Sequence, residues 1–251
     1  MTDKNSLHKL SLIIPAYRQA KSIIRDIRKI EKTLQKIRYP YEIIIVIDGY
    51  GDGTYSQVKK HLSPHLKAIT YMKNQGKGHA VRTGMQQATG DYVAFIDSGM
   101  EIDPNGISML LEHMEWYNAD IIVGSKRHPA SVVSYPFERK ILSLIYQIII
   151  RLLFNLNVRD TQTGLKIYRR YVLQKILPRL IVKRYAFDLE MLVVARHLGF
   201  FKIYEAPIKL KYNFTSFTHA SNLNAVYHIW IDTMAIFYRL YILRYYDRKQ
   251  S

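Results

Sequence analysis

Three carboxylates, Asp97, Glu101 and Asp103, follow directly on the short apolar run Tyr92 to Ile96. Acidic groups at the carboxyl end of a buried strand could hold a divalent cation against a phosphorylated ligand. A second group, Lys73-Asn-Gln-Gly-Lys-Gly-His-Ala-Val-Arg82, sets Lys77 and Arg82 around Gly76 and Gly78, where close backbone approach and helix N-terminal amides favour an anion. It is not a P-loop, because no Ser or Thr follows the lysine. Basic residues return at Gly124-Ser-Lys-Arg127 and acidic ones at Asp188 and Glu190. A plainer reading stands beside each group. Asp103 can cap a helix opening at Pro104, Asp188 can cap the helix after it, and the glycine segment can be a turn carrying solvated bases. His61 and His65 read as surface histidines, since Pro64 breaks any helical spacing between them.

These groups need a scaffold, and the apolar pattern predicts one. Leu10 to Ile14, Glu42 to Ile47, Ala68 to Met72, Tyr92 to Ile96 and Asp120 to Val123 read as buried strands, with Phe201 to Tyr212 extended and marked as an edge by Pro207. Helices fall between them: Ala20 to Ile37 with Ile23, Ile27, Ile30 and Leu34 on one face, Ser56 to Leu62, a helix opening near Lys77, Pro104 to Tyr117, and Asp188 to Leu198. That alternation is an α/β class with a mostly parallel sheet. Gly49-Tyr-Gly-Asp-Gly-Thr54 looks like a dinucleotide loop, but Thr54 holds the third glycine position and no acidic strand end follows, so Asp52-Gly-Thr54 reads as a turn into a helix.

Two apolar helices remain, Ile141 to Leu156 and Asn224 to Tyr246. In the first, Ser143, Gln147 and Arg151 recur on one face and the apolar runs are too short to span a bilayer. The second mixes Tyr227, Trp230, Phe237, Tyr238 and Tyr241 with Arg239 and Arg244, which suits a membrane interface or, equally, a core or dimer contact. Composition narrows the partners. A net charge of +17 over 251 residues asks for an acidic counterpart, and the bases are scattered among apolar helices with no RNA-binding or zinc-finger signature, which favours a membrane surface or phosphorylated substrates over nucleic acid. No cysteine is present, so disulfides, thiolate metal sites and cysteine nucleophiles are excluded. The polar Met1 to Lys9 carries no signal-like core, and the expected place is the cytoplasmic face of a membrane, peripherally bound.

Pro15-Ala-Tyr17, the strand ending at Asp48 with Asp52-Gly-Thr54, Lys73-Asn-Gln-Gly-Lys-Gly with Ala80-Val-Arg82, and Asp97 together resemble the inverting family 2 glycosyltransferases of GT-A fold. Gly124-Ser125 with its basic pair, Asp160-Thr-Gln162 with Gly164 and Lys166, and Tyr185-Ala-Phe-Asp-Leu-Glu190 are similar to the dolichyl-phosphate glucosyltransferase branch. The resemblance implies transfer of a hexose, glucose, from UDP-glucose (GDP-mannose being the other candidate donor) to a polyprenyl or dolichyl monophosphate, with inversion and with Mg2+ or Mn2+ as cofactor. It implies a donor site of Pro15, Ala16, Tyr17, Gln19, Asp48, Lys77, Arg82, Asp97, Ser98 and Gly99, with Asp97 and Glu101 holding the metal. Arg127, Arg139, Ser143, Asp160 and Gln162 would receive the acceptor phosphate. The catalytic set would be Asp97, Arg127, Arg139, Asp188 and Glu190. Residues 1–212 would form the catalytic domain, including an amphipathic helix over 138–157, and 213–251 a loop and interfacial helix, with a second copy of the chain as a further candidate partner.

The chain departs from the pattern at Gly99, where a second acid is usual, at Gln19, at Ile47, and at His219-Ala-Ser-Asn222, where a lysine is common. An altered donor, weak metal use or a non-catalytic membrane-surface homologue follow as alternatives. So does a saccharide hydroxyl as acceptor, for which Asp188 or Glu190 would have to serve as general base.

Overall fold

The computed structural model describes residues 8–132, 137–184, 186–210 and 223–248, with side chains described outside 137–142 and 223–226. Seven strands form one sheet in the order β3-β2-β1-β4-β6-β5-β7: β1 (Leu10–Ala16), β2 (Tyr41–Asp48), β3 (Leu66–Tyr71), β4 (Tyr92–Ile96), β5 (Ile121–Ser125), β6 (Leu165–Arg169) and β7 (Ile203–Pro207). All run parallel except β6, which lies antiparallel between β4 and β5. The expected class is therefore the observed one, with an added strand. The sequence reading passes from Lys166 to a helix; the chain instead extends through Leu165-Lys-Ile-Tyr-Arg169 before α6 begins. β7 occupies the sheet edge, as Pro207 suggests.

Strand residues alternate between two apolar layers, as a pleated sheet covered on both faces requires. Leu10, Leu12, Ile14, Ile43, Ile45, Ala94 and Ile96 pack with α1 (Ile23–Leu34) and α4 (Gly106–Trp116). Ile13, Ile44, Val46, Val93 and Phe95 face the other way, toward α3 (Lys77–Gln86), α5 (Phe137–Phe154), α6 (Arg170–Ile176) and α7 (Phe187–His197). The short α2 (Thr54–Lys59) buries Val58 on the α1 side.

α8 (Leu223–Phe237) continues into a π turn, Tyr238–Ile242, and a 3₁₀ turn, Tyr245–Asp247. Its two faces differ. Ile236, Leu240 and Tyr246 enter the core beside α7, while Tyr227, Ile231, Met234, Tyr238 and Ile242 stay exposed. α5 does the same, burying Ile150 and Phe154 and exposing Leu144, Ile145, Ile148 and Leu152. The two helices touch edge-to-face at Tyr146–Trp230 and Phe154–Phe237, and the Tyr241 hydroxyl donates to the Leu153 carbonyl, so their exposed apolar residues adjoin. No helix among the described residues is long and apolar enough to cross a membrane.

Candidate active site

The carboxyl ends of the parallel strands carry the polar side chains, and Asp97 stands at the end of β4 beside the start of β6. Its amide donates to the Gly164 carbonyl (2.9 Å), which couples the two loops. Gly164 must be glycine here: a Cβ would lie 1.9 Å from Asp97 Oδ2. Lys77, at the first turn of α3, places its ammonium 2.8 Å from Asp97 Oδ1 and 3.3 Å from Asp188 Oδ2. Asp188 in the first turn of α7 takes a second lysine, Lys166, at 2.6 Å on Oδ1. A ladder of alternating charge results, Lys166–Asp188–Lys77–Asp97, running from fully buried to partly open. Burial pushes the Asp188 carboxyl up, but Lys166 and then Lys77 outweigh it and hold it below the ordinary value. Burial likewise opposes the Lys77 charge, and Asp188 and Asp97 overturn that and hold the ammonium well above its usual range.

The glycine segment before α3 is shaped from below by Asp48. Its carboxylate accepts from the Tyr71 hydroxyl (2.8 Å), Asn74 Nδ2 (2.8 Å), Gln75 N (2.7 Å) and Gly76 N (2.9 Å), which bends the backbone so that Lys77 opens the helix. Gly76 sits at φ +102, and Gly78 lies so close to Phe187 that a Cβ there would come within 2.5 Å of it, so α3 and α7 meet where their two charged side chains must. Asp52 binds the Thr54 hydroxyl and amide and the Ala20 amide, and Thr54 Oγ1 accepts from Gln19 N, tying the β1 loop to the start of α2. Next to this knot lies a cleft of about 210 Å³ lined by Ile47, Gly49, Tyr50, Asp52 and Tyr55. Pro15 and Ala16 are buried at the end of β1, and Tyr17 is exposed with Arg18 over its ring.

Two strands across from Asp97, about 10 Å by strand spacing, Arg127 follows β5. Its guanidinium donates to both Ser143 and Gln147 of α5, so the polar stripe of that helix faces the site. Asp160, mostly buried, accepts from the Lys126 amide at 3.1 Å, and Gln162 donates to the Tyr146 hydroxyl at 3.3 Å. Lys77, Asp97 and Asp188 thus come together, and Arg127 joins Ser143. Arg139 lies in α5 with its side chain outside the described residues, as do Tyr185 and the segment 219–222.

Glu190, Arg82, Gln19 and Asp103 make contacts of their own. Glu190 is fully buried; its carboxylate accepts from the Ile181 and Val182 amides and from the Tyr246 hydroxyl (2.7 Å), and burial pushes its carboxyl up. Arg82 donates to the Leu180 carbonyl (2.6 Å), away from Lys77. Gln19 supplies the carbonyl that receives the Ser22 and Ile23 amides at the start of α1. Asp103 accepts from Asn105 N and Nδ2 in the turn before α4, which opens at Gly106 with Asn105 in the capping position. Residues missed by sequence reasoning are Tyr246, whose partner lies 56 positions away, and Gly164 as the seat of Asp97.

Both Asp97 oxygens face the Lys77 ammonium, Oδ1 at 2.8 Å and Oδ2 at 3.0 Å, so the carboxylate is already paired with a cation. No group of three His, Asp or Glu side chains that could hold a metal occurs among the described residues. Asp97 is the carboxylate of the ladder that would hold a cation, beside Lys77 or in exchange for it.

The model of glycosyl transferase family 2 matches residues 11–177. Dolichyl-phosphate beta-glucosyltransferase of Dictyostelium discoideum is 31% identical over 205 residues, covering 76% of this chain and 63% of that protein. The Drosophila melanogaster protein of the same description is 31% identical over 214 residues, covering 79% and 65%. The chain therefore spans slightly less than two thirds of either relative. Among solved structures, glucosyl-3-phosphoglycerate synthase from Mycobacterium tuberculosis in complex with Mn2+, UDP and phosphoglyceric acid superposes with a TM-score of 0.70 at 15% identity, covering 92% of this chain and 78% of that one. Mannosyl-3-phosphoglycerate synthase from Rubrobacter xylanophilus gives 0.69 at 15% identity, covering 97% and 77%. The shared architecture is the GT-A fold.

Proposed function

Because this chain belongs to glycosyl transferase family 2, we propose that it transfers glucose from UDP-glucose to a polyprenyl monophosphate at a membrane surface, with inversion. One observation carries the reading: Arg127 is clasped to Ser143 and Gln147 on the same helix that exposes Leu144, Ile145, Ile148 and Leu152. A phosphate receptor at the head of an apolar face suits a lipid whose only polar end is a phosphate. The relatives' acceptor, as their description has it, is of that kind.

An acceptor phosphate already carries about 1.5 to 2 negative charges at neutral pH, so it needs placement rather than a base. Its oxygen attacks the anomeric carbon of the donor, the bond from that carbon to the diphosphate breaks, and the configuration inverts. Arg127, with Arg139 as a second expected guanidinium, would hold the phosphate by bidentate contacts. Lys77 would meet the departing diphosphate with fixed positive charge. Asp97, with Glu101 beyond it, would hold Mg2+ or Mn2+, which when bound neutralises the same leaving group. Asp188, locked between two lysines, is poorly suited to take a proton, and this favours phosphate over a sugar hydroxyl as acceptor. Pro15, Ala16, Tyr17, Tyr50 and the adjoining cleft would receive the base and ribose.

The exposed apolar faces of α5 and α8, in a chain of net charge +17, would rest on anionic lipid. The test incubates purified protein with a short polyprenyl phosphate, Mg2+ or Mn2+, and a panel of UDP- and GDP-sugars, and seeks lipid-linked hexose by mass. Formation of hexosyl phosphoryl lipid only with UDP-glucose is the expected result. Transfer to a free saccharide instead would overturn the acceptor, and turnover of no donor would overturn the enzyme.

A further inference from the structure

We propose that Lys166 is a positioning residue that fixes Asp188 as the inner anchor of Lys77 and so presents the Lys77 ammonium to the donor diphosphate. The inference rests on the donor reading above and adds a residue to it. Lys166 is 0% exposed, a rare state for a lysine. It stands on β6, across from Phe95 of β4 and Val123 of β5, at the centre of the sheet. Its Nζ donates to Asp188 Oδ1 at 2.6 Å and to the Thr163 carbonyl at 2.7 Å, and lies 5.3 Å from the Phe95 ring centroid. Lys77 Nζ lies 5.4 Å from the same ring.

The two lysines therefore grip one carboxylate from opposite oxygens. Side-chain exposure rises along the ladder, 0% at Lys166, 5% at Asp188, 35% at Lys77 and 40% at Asp97, so the inner pair cancels inside the protein and the outer pair faces the mouth. Without Lys166, Asp188 would be a buried anion with Lys77 as its cationic partner, and would draw that ammonium inward off Asp97. With Lys166 in place, Lys77 is shared. An ammonium has three N–H groups; both Asp97 oxygens, at 2.8 and 3.0 Å, and Asp188 Oδ2, at 3.3 Å, surround it, so a phosphate oxygen would take the place of one Asp97 oxygen at the open end of the ladder. Tyr168 Oη, buried without a hydrogen-bond partner, is the further titratable group in the field of Asp188. A lysine placed only to pack would not need this chain of partners ending at the site.

The experiment measures UDP affinity of the full chain by calorimetry, with and without Mg2+, for wild type, Lys166→Met, Asp188→Asn and the double variant, alongside thermal melts. If Lys166 acts through Asp188, each single change weakens UDP binding about 10-fold, and the double is no weaker than Asp188→Asn alone. Lys166→Met that binds UDP as tightly as wild type while melting lower would overturn the inference, since that is the behaviour of a packing residue. A double variant weakened about 100-fold would also overturn it, by showing independent action. Should Lys166→Met not fold, the double variant strands no buried charge and its comparison with Asp188→Asn alone decides. Wild-type protein that bound no nucleotide would overturn the donor reading, and this inference with it.

Discussion

Gly164→Ala isolates the geometry of Asp97 from the rest of the fold. Gly164 has no positive φ, so the backbone accepts alanine and the cost lies wholly in contact. The added Cβ would stand 1.9 Å from Asp97 Oδ2, 2.3 Å from Cγ and 3.0 Å from Cβ, where ordinary contact begins at 3.4 Å. The carboxylate must therefore retreat by about 1.5 Å, the difference between 3.4 and 1.9. The 3.0 Å approach to Asp97 Cβ asks the main chain to yield by only a few tenths of an ångström, which the bond from the Asp97 amide to the Gly164 carbonyl tolerates. The side chain, being 40% exposed, swings toward solvent at a rotamer cost of about 1 kcal/mol. Stability should thus fall little. Catalysis should fall far, since a displacement of about 1 Å at a reacting centre costs about 100-fold, and Lys77 loses its outer partner as well. The assay is initial-rate transfer from UDP-glucose to a short polyprenyl phosphate, run beside thermal melts. Gly164→Ala with a melting point near wild type and transfer within about 3-fold of it would refute the placement of Asp97 at the reacting centre.

Acid should unfold the protein partly through Glu42. Burial alone would raise this carboxyl, but Thr89, Ser11 and Lys67 bring it down to about 2 from 4.5. Its stabilisation is complete above pH 4.5 and is lost as pH falls toward 2, roughly 3 kcal/mol in all; Glu42→Gln should flatten the acid limb of a stability–pH curve, and an unchanged limb would count against the network. Asp48→Asn, which leaves one oxygen to serve four donors, should loosen the Lys73–Gly76 segment, cost roughly 2 kcal/mol and weaken UDP binding more than it lowers lipid-phosphate affinity. Arg127→Ala should raise the KM for polyprenyl phosphate with the UDP affinity unchanged; a change in UDP affinity alone would move Arg127 to the donor side. Leu152→Glu with Tyr238→Glu, both on exposed positions, should abolish flotation with anionic vesicles and leave the fold's melting intact, whereas retained flotation would place the membrane contact elsewhere.

Much of this was legible because parallel strands buried on both faces announce themselves as unbroken apolar runs: Ile43 to Ile47 and Tyr92 to Ile96 fell where expected, and Asp97 at the end of the second. β6 was hidden for the opposite reason. A five-residue strand with a lysine second and an arginine last lacks the apolar signature, and the carboxylate that makes the buried lysine tolerable, Asp188, lies 22 residues on. Asp188 and Glu190 invite pairing as site carboxylates, yet two positions apart on a helix they point to different sides, one to the lysines and one to Tyr246. Lys77 and Arg82, five positions apart, likewise fall outside the spacings of three and four that bring helix side chains together. Ser143 and Gln147 share a stripe by their spacing of four, so the polar face of α5 was visible; Arg127 lies across a loop, and only the resemblance, not spacing, could group it with Ser143.

The reversed strand has a bearing on how the chain is made. During synthesis β1 to β4 can assemble as soon as residue 96 is free, yet the open flank of Tyr92–Ile96 waits for Leu165–Arg169. In that interval nearly 70 residues must emerge while a bare apolar ribbon stands uncovered, and on it depends the seating of Asp97. A nascent protein halted between those points would present this flank to any passing β-segment, so ribosome-stalled chains ending near residue 160 should engage holdase chaperones that the finished chain, freed from the ribosome, releases.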